Sequence, residues 1–342
     1  MNILAWIIVY LPLLVEALRV PVFYDSQNGL HRDLSYHPEQ PARIDACVEL
    51  LSQSGIDLED ASFSDQELTH AREMLCLAHS DDYVQKIQDR CQLSRQQRID
   101  EGKDPLGFAG YLDGGDTYLT TESYDVCLRA TAAWIKAIDR AGMALTRPPG
   151  HHATAKLANG FCLFNFATAA VLHVLQSNPQ ARVSVLDWDV HYGQGVADIL
   201  QHHERARYVS IHQTPAFPYM GEKKQTQGAH QNVLTIPVPP DTTWTCGYEE
   251  CFRQALDYVY QPNEWEPDVV LICAGYDALD SDELASCSLQ AVDYGRMTKL
   301  LQEHLPSKTR IAFGLEGGYQ LSPMAGGGNL PQAVLDTLQA LR

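Results

Sequence analysis

The chain has 342 residues, of which 45% are hydrophobic and 20% are charged, and this composition is typical of a globular protein with an extensive core. The formal net charge is -18 at pH 7. So acidic a surface repels nucleic-acid phosphates, which argues against direct binding of DNA or RNA.

The chain begins with an apolar run, ILAWIIVYLPLLV, over residues 3–15. This run is too short for a comfortable membrane span, so no stable membrane span is predicted. The following VEA offers small residues at the offsets that signal peptidase requires, and residues 1–17 are therefore interpreted as a signal or targeting segment. That interpretation predicts the secretory pathway or an organelle. A misplaced start codon or an N-terminal strand, with a cytoplasmic protein, is the alternative.

Seven apolar runs rich in β-branched residues predict strands, and seven segments with apolar residues at helical spacing predict helices. The predicted strands are residues 19–25, 142–147, 182–189, 207–213, 233–239, 268–275 and 309–316. The predicted helices lie near residues 43–54, 80–91, 123–140, 162–176, 248–261, 290–305 and 331–342. Continuous apolar strands separated by helices predict an α/β fold, with a central, mostly parallel sheet and helices on both faces. We expect residues 18–342 to form a single domain.

The nine cysteines are scattered along the chain without a CxxC pair. An odd number of cysteines argues against a complete disulfide framework. Cys162 and Cys273 lie in apolar runs, where cysteine behaves as a small hydrophobic residue. We therefore expect most of these cysteines to be reduced and structural. This expectation conflicts with secretion, because disulfides form in the secretory pathway.

Five of the predicted strands lead into residues that carry chemistry. In an open parallel sheet, ligands bind outside the carboxyl ends of the strands, at a shared edge. The segments found there are, in chain order, RPPGHHA, DWDVH, the strand end at His212, CAGYD and EGGY. Chance placement would scatter such residues over both edges, so the pattern predicts one functional site.

The stretch DWDVHYGQG over residues 187–195 is the strongest of these signals. Alternate residues at a strand end point to the same side, so Asp187, Asp189 and His191 are candidates to converge. Asp189 and His191 can share one metal ion, with Asp277 of CAGYD as the third ligand. Two carboxylates and one imidazole leave a position for water, as hydrolytic zinc sites require. We predict Zn²⁺, with Fe²⁺ or Co²⁺ also compatible.

Two adjacent imidazoles, His151 and His152, suit a metal-assisted hydrolysis. One can take a proton from the attacking water and the other can supply a proton to the leaving amine. Each needs an orienting partner on its second nitrogen, and Asp187 and Gln194 are available. A charged partner raises the pKa of an imidazole more than a neutral partner does, which would separate the two roles.

The EGGY segment offers a further candidate side chain. Its paired glycines allow a tight turn of the main chain, which could direct the Tyr319 hydroxyl toward a developing oxyanion.

Taken together, HPEQPARI, RPPGHHA, GFCLFNF, DWDVHYGQG, VSIH, AGYDALDSDEL and LEGGY resemble the zinc-dependent histone deacetylase family, in the family's order and over nearly the whole chain from about residue 20. The similarity is strongest to the class II and bacterial branch, whose superfamily includes the acetylpolyamine amidohydrolases. The resemblance implies an arginase-like α/β fold and hydrolysis of acyl-lysine amides. The implied site residues are the zinc ligands Asp189, His191 and Asp277, the base His152 with its partner His151 held by Asp187, and the carbonyl-polarising Tyr319.

The resemblance also implies a narrow tunnel for the acyl-lysine side chain. Gly160 and Phe161 match one wall, Phe217 matches the opposite wall, and Asp116 matches a rim residue that holds the substrate backbone. Leu284 stands where polyamine-selective relatives carry a glutamate, which favours a protein or peptide substrate over an acetylated polyamine. The acetylpolyamine amidohydrolase interpretation stays open as the alternative.

The family further binds a structural potassium ion, for which the implied ligands are Asp187, Asp189, His191, Ser210 and Ile211. The sequence departs from the family pattern at three places near the site. Tyr192 replaces the second histidine of the usual DVHHG, and Gln194 stands where relatives carry Asn or Asp. The segment over residues 221–232 differs from the usual glycine-rich loop beside the tunnel mouth, and this departure bears on substrate choice.

Two further functions share parts of this pattern. A binuclear ureohydrolase has the same fold but needs another aspartate, as in D-x-H-x-D, and Gly193 occupies that position. A non-catalytic acyl-lysine binder would lack a metal ligand or the tyrosine, and both are present. One metal ion per chain and catalysis are therefore expected, whereas the oligomeric state and the preferred acyl chain are not predicted.

Overall fold

The structure, a computed structural model, describes residues 20–112, 115–322 and 328–342, so the proposed targeting segment lies outside the described residues. The strands in these ranges are β1 (Val22–Tyr24), β2 (Leu58–Asp60), β3 (Phe108–Tyr111), β4 (Tyr118–Thr120), β5 (Met143–Leu145), β6 (Val183–Asp187), β7 (Ala206–Gln213), β8 (Gln225–Gln227), β9 (Val233–Val238), β10 (Val269–Ala274) and β11 (Arg310–Leu315). The α-helices are α1 (Ala42–Gln53), α2 (Asp65–Ala78), α3 (Asp81–Asp100), α4 (Ser123–Arg140), α5 (Phe166–Ser177), α6 (Gln194–Leu200), α7 (Tyr248–Val259), α8 (Ala291–His304) and α9 (Leu330–Ala340).

Nine of the strands form one sheet in the order β2-β1-β5-β11-β10-β6-β7-β9-β8, and β3 pairs with β4 separately. Every pairing in the large sheet is parallel except that between β8 and β9. The predicted α/β fold with a mostly parallel central sheet is confirmed.

Helices cover both faces of this sheet. Helices α2 to α6 pack on one face, and α1, α7, α8 and α9 pack on the other. Strand β10 contributes side chains to both cores in alternation, as the pleat of a strand requires. The side chains of β10 in the first core are Val269, Leu271 and Cys273, and those in the second are Val270, Ile272 and Ala274. Burial on both faces explains why the central strands read as continuous apolar runs.

All seven predicted strands and all seven predicted helices occur, with differences at their ends. The helix expected over residues 162–176 starts at Phe166, because the side chain of Asn165 accepts a hydrogen bond from the N–H of Thr168 and caps the helix there. Helix α3 extends to Asp100, nine residues beyond its predicted end. The prediction ended too early because the second half of this helix is polar and exposed and has little apolar periodicity. Helices α2 and α6 and four short strands were not predicted.

Strands β5, β11, β10, β6 and β7 are consecutive neighbours in the sheet. These are the five strands whose carboxyl ends carry the histidine, aspartate and tyrosine motifs. The fold therefore brings segments from distant parts of the chain to one continuous edge, as expected for a parallel sheet.

Cys162 and Cys273 are buried, as expected for structural cysteines. In the ranges that the structure describes, every helix is too short or too polar to cross a membrane.

Candidate metal centre and substrate tunnel

Three buried side chains converge at the carboxyl ends of β6 and β10. Asp189 and His191 follow β6, and Asp277 follows the neighbouring β10. His191 Nδ1 lies 3.2 Å from Asp189 Oδ1 and 3.1 Å from Asp277 Oδ2. The three ligand atoms all lie within 4.8 Å of one another. The predicted ligand set is thus close enough to share one ion.

The electrostatics of this triad favour a bound cation. Burial and the neighbouring Asp189 carboxylate raise the pKa of Asp277. Burial opposes ionisation of Asp189 too, but the imidazoles of His151 and His191 hold the pKa of Asp189 well below its ordinary value. Burial would lower the pKa of His191, yet its contacts with the two carboxylates raise it to about 10. A divalent cation can replace the proton that balances these carboxylates, and two carboxylates with one imidazole suit Zn²⁺.

The main chain orients both carboxylates. The N–H of Gly317 donates to Asp189 Oδ2 at 2.8 Å, and the N–H of Val190 donates to Asp277 Oδ1 at 2.9 Å. A Cβ atom at position 317 would collide with both carboxylates, so only glycine allows this approach. The first glycine of EGGY is therefore required by close packing, whereas the second, Gly318, has a φ of 114° and makes the turn.

The two neighbouring histidines follow β5 and have the partners that were expected for them. His151 Nδ1 lies 3.1 Å from Asp187 Oδ2, an oxygen that also accepts the hydroxyl of Tyr208 at 2.8 Å. His152 Nδ1 lies 2.7 Å from Gln194 Oε1. One imidazole therefore faces a carboxylate, and the other faces a neutral amide.

This difference in partners separates the two imidazoles electrostatically. Burial lowers the pKa of His151, but the carboxylates of Asp189 and Asp187 outweigh burial and raise it well above its ordinary value. Burial, the adjacent His151 and then His191 lower the pKa of His152 far below its ordinary value. At neutral pH the pair therefore holds one charged imidazole and one neutral imidazole that can accept a proton.

A narrow cavity of about 180 Å³ opens above the triad. Its walls are formed by the residues predicted for a substrate tunnel together with parts of the candidate catalytic set: Asp116, His152, Gly160, Phe161, His191, Phe217, Leu284 and Tyr319. The ring of Phe217 packs edge-on against His152, and the ring of Phe161 packs edge-on against Tyr319. The structure thus brings all the predicted tunnel residues together around one cavity that reaches His191.

Tyr319 is 7% exposed and lies on the wall of this cavity. The guanidinium of Arg43 stacks over its ring at 4.8 Å. Burial raises the pKa of the Tyr319 phenol well above 10, so the hydroxyl keeps its proton at neutral pH. A protonated phenol on the tunnel wall can donate a hydrogen bond to a carbonyl oxygen.

Several supporting residues were not assigned a role from the sequence. His37 Nε2 lies 3.1 Å from the carbonyl oxygen of Asp116, and the His37 ring packs edge-on against Phe161 at 4.7 Å. Glu316 Oε2 accepts the N–H groups of Gly150 and His151 at 2.6 and 3.1 Å. His37 belongs to HPEQPARI and Glu316 to LEGGY, so the motifs were visible, but the contacts of these side chains depend on how distant loops meet.

His212 lies at its strand end but does not join the triad. Its Nδ1 is 2.9 Å from Ser210 Oγ, and its Nε2 is 2.9 Å from the carbonyl oxygen of Gly221. Ser210 is the register partner of Asp187 on the neighbouring strand. Two of the predicted potassium ligands are thus adjacent, and the potassium site itself stays a prediction.

A doubly covered parallel sheet, with a carboxylate–imidazole triad at its carboxyl edge and a narrow tunnel above the triad, defines an α/β protein built around a candidate metal centre. The family model of the histone deacetylase domain matches residues 37–330. The chain belongs to the histone deacetylase family.

Individual relatives agree with this assignment. The chain is 33% identical over 331 residues to an uncharacterized protein of Synechocystis, covering 94% of this chain and 99% of that protein. It is 28% identical to histone deacetylase HDA1 of Candida albicans, covering 90% of this chain and 40% of that protein. The chain therefore spans less than half the length of that relative. The crystal structure of the HDA15 HD domain matches with a TM-score of 0.77 and 25% identity, covering 95% of this chain and 88% of that one.

Proposed function

We propose that the chain is a metal-dependent hydrolase that removes acyl groups, acetyl above all, from lysine side chains of a protein or peptide. The observation that carries this proposal is the convergence of Asp189, His191 and Asp277 at the base of a narrow tunnel. Zn²⁺ is the proposed ion, and Fe²⁺ or Co²⁺ would fit the same ligands. A divalent ion bound there supplies Lewis-acid polarisation of the amide carbonyl and a lower pKa for water.

The tunnel suits an acylated lysine better than a free one. Phe161 and Phe217 give it apolar walls, which accommodate the methylene chain of lysine. Acylation removes the positive charge, so the side chain enters without the cost of burying an unpaired ammonium group. Asp116 lines the same cavity, and its proposed role is to accept hydrogen bonds from the substrate main chain.

The side chains around the tunnel floor then divide the chemistry. Neutral His152 accepts a proton from the attacking water, and Gln194 holds its ring in place. The Tyr319 hydroxyl donates a hydrogen bond to the amide oxygen as negative charge develops on it. The histidine pair delivers the proton that the leaving lysine amine requires, with His151 kept charged by Asp187.

A potassium ion is proposed as a structural partner of this site. The proposed ligands are Asp187, Asp189, His191 and the main chain of Ser210 and Ile211. The adjacency of Asp187 and Ser210 on β6 and β7 supports this assignment. Measuring enzymatic activity with potassium replaced by a larger quaternary ammonium ion tests it, and unchanged activity and stability would argue against the site.

The test of the main proposal is a side-by-side assay of the purified protein. Metal-free protein is reloaded with Zn²⁺, Fe²⁺ or Co²⁺ and offered an acetyl-lysine peptide, a longer acyl-lysine peptide and an acetylated polyamine. We expect one metal ion per chain and preferred hydrolysis of acyl-lysine, with both lost in Asp277→Asn. Preferred polyamine turnover would make the chain an acetylpolyamine amidohydrolase. Two ions per chain would indicate a binuclear enzyme, and full loading without hydrolysis would indicate an acyl-lysine binder.

The targeting assignment for residues 1–17 is a separate proposal. It is supported by the apolar run and the following VEA. The intact mass of the protein isolated from its native cells tests the assignment, because cleavage after residue 17 removes a segment of defined mass. An uncleaved N-terminus would favour the cytoplasmic alternative.

A further inference from the structure

We propose that Asp282 is a positioning residue that holds Tyr319 at the tunnel wall. This inference rests on the proposed function, in which the Tyr319 hydroxyl donates to the substrate carbonyl. Asp282 lies in the connection between β10 and α8, five residues beyond the candidate metal ligand Asp277.

The carboxylate of Asp282 joins two segments of the tunnel. Its Oδ2 accepts the N–H of Tyr319 at 2.8 Å, and its Oδ1 accepts the N–H of Leu284 at 3.0 Å. Both Tyr319 and Leu284 line the cavity. Asp282 itself is only 8% exposed. A buried carboxylate is costly unless it is hydrogen-bonded, and here both of its oxygens are used by main-chain donors.

The bond to Tyr319 completes a clamp on one peptide group. The carbonyl oxygen of Gly318 accepts a hydrogen bond from Arg43 Nε at 2.7 Å, while the N–H of the same peptide group donates to Asp282. The side chains of Arg43 and Asp282 therefore hold the Gly318–Tyr319 peptide plane from opposite sides. The plane cannot rotate without breaking a charge-assisted hydrogen bond.

The Gly318–Tyr319 peptide plane needs such a clamp because Gly318 itself does little to restrict its rotation. Gly318 has a φ of 114°, in the region that favours glycine, and it has no Cβ to limit rotation of the following peptide plane. The direction of the Tyr319 side chain follows that plane. A displacement of about 1 Å at a catalytic group can cost about 100-fold in rate, so the clamp controls the contribution of the phenol.

The first test is the isosteric substitution Asp282→Asn. The amide keeps one acceptor oxygen but presents an NH₂ group to the second main-chain N–H, so one of the two hydrogen bonds is lost. We expect kcat for the acetyl-lysine peptide to fall about 10-fold or more, with KM changed by less than about threefold. The matched control is Asp280→Asn on the same loop, because Asp280 is exposed and its carboxylate accepts the side chain of Gln290 at 2.7 Å rather than a main-chain N–H of the tunnel residues. An equal loss in the control would overturn the proposal.

A double-mutant cycle separates positioning from general support of the fold. If Asp282 acts through the Tyr319 hydroxyl, the variant Asp282→Asn/Tyr319→Phe has the same kcat as Tyr319→Phe alone. Losses that multiply in the double variant would show that Asp282 acts by another route, and would overturn the proposal.

A structural readout keeps the inference testable even if the wild-type chain hydrolyses no acyl-lysine substrate. The crystal structure of Asp282→Ala, which removes both acceptor oxygens, should show the Tyr319 ring moved away from its edge contact with Phe161, which has a centroid distance of 5.7 Å in the wild type. An unmoved Tyr319 would reject the positioning role. Inactivity of the wild type, by contrast, would reject the proposed function.

Discussion

His151 and His152 are identical side chains at adjacent positions, yet their pKa values move in opposite directions. Burial lowers the pKa of both rings, but the carboxylates of Asp189 and Asp187 outweigh burial at His151, whereas the imidazoles of His151 and His191 add to it at His152. The carboxylate of Asp187 faces one imidazole and the amide of Gln194 faces the other. At the residue scale, the chemistry of the site therefore depends on partners as much as on the reactive groups.

Replacing Gln194 with glutamate tests this dependence. A carboxylate beside His152 Nδ1 favours the protonated imidazole, so its pKa rises and less of the neutral base is present at low pH. We expect the acid limb of the pH profile of kcat/KM to move to higher pH in Gln194→Glu. The control is Gln227→Glu, because Gln227 contacts the hydroxyl of Tyr192 rather than His152. An unshifted acid limb would show that His152 is not the titrating base.

Removing the hydroxyl of Tyr319 tests the last part of the site. The substitution Tyr319→Phe keeps the ring contact with Phe161 and leaves the metal ligands in place. We expect the metal content to be unchanged and kcat to fall by about 10²–10³-fold, as for the loss of one oxyanion donor. Wild-type turnover in this variant would remove Tyr319 from the mechanism.

The reactive side chains could be predicted from the sequence because each lies in a short motif at the end of an apolar strand. Asp189, His191 and Asp277 converge because β6 and β10 are neighbours in a parallel sheet. Glu316 and Asp282 could not be assigned in this way. Both are buried carboxylates that accept main-chain N–H groups from distant loops, and such contacts depend on tertiary placement rather than on local pattern.

At the scale of elements, the main differences between expectation and structure are helices and short strands that were not predicted. Helix α2 was not predicted, although a capping box marks its start: Ser64 accepts the N–H of Glu67, and the Glu67 carboxylate accepts the N–H of Ser64. The short strands β2, β3, β4 and β8 have three or four residues each, too few for a pattern of apolar residues to emerge. Elements inside apolar runs are therefore readable from the sequence, including the three-residue strands β1 and β5, whereas elements outside such runs are not.

The capping box of α2 gives a prediction about stability alone. The substitution Ser64→Ala removes the side-chain acceptor at the helix start and should lower the free energy of unfolding by about 1 kcal/mol. Urea denaturation measures this loss, and kcat should stay at the wild-type value because neither Ser64 nor any residue of α2 lines the tunnel cavity. Ser52→Ala, at an exposed position within α1, removes no cap and serves as the control. A stability loss of the same size in Ser52→Ala would contradict the assignment to capping.

At the scale of the whole molecule, a buried polar cluster connects the first segment of the domain to the strands. Arg147 donates to Glu39 and to the hydroxyl of Tyr118 with full burial of both charged groups. Burial would raise the pKa of Glu39, but the guanidinium of Arg147 outweighs it and lowers the pKa to about 2. His31 stacks on Tyr118 in the same cluster, and burial lowers its pKa to about 3. The cluster is therefore stable only while Glu39 is ionised and His31 is neutral.

Acid should destabilise the whole domain through buried histidines that are neutral in the folded chain, such as His31 and His79. Burial lowers the pKa of His79 to about 4. In the folded chain the neutral ring donates from Nδ1–H to the carbonyl of Thr154 and accepts the N–H of Asn165 at Nε2. Between pH 6.5 and the folded pKa, the unfolded chain binds more protons, so each such histidine lowers the free energy of unfolding by about 1.4 kcal/mol per pH unit as pH falls. We expect His79→Gln to reduce that slope between pH 6.5 and 4 in metal-free protein. A slope equal to that of the wild type would contradict the low pKa.

A further prediction concerns the ion and the fold together. The ligands exist as a set only in the folded chain, because 86 residues separate His191 from Asp277. Zn²⁺ at 100 times its Kd should therefore raise the free energy of unfolding by about 2.7 kcal/mol, measured as a concentration-dependent rise in Tm. The variant Asp277→Asn should show a much smaller rise. An equal rise in that variant would mean that the ion binds elsewhere.

The N–H of Gly317 that orients Asp189 comes from a segment 128 residues later in the chain. A ribosome must therefore release the chain through Gly317 before the carboxylate acquires its final orientation. Nascent chains that stop short of EGGY would carry the aspartates and the histidines but not the geometry, and they should neither retain zinc tightly nor consume substrate during synthesis.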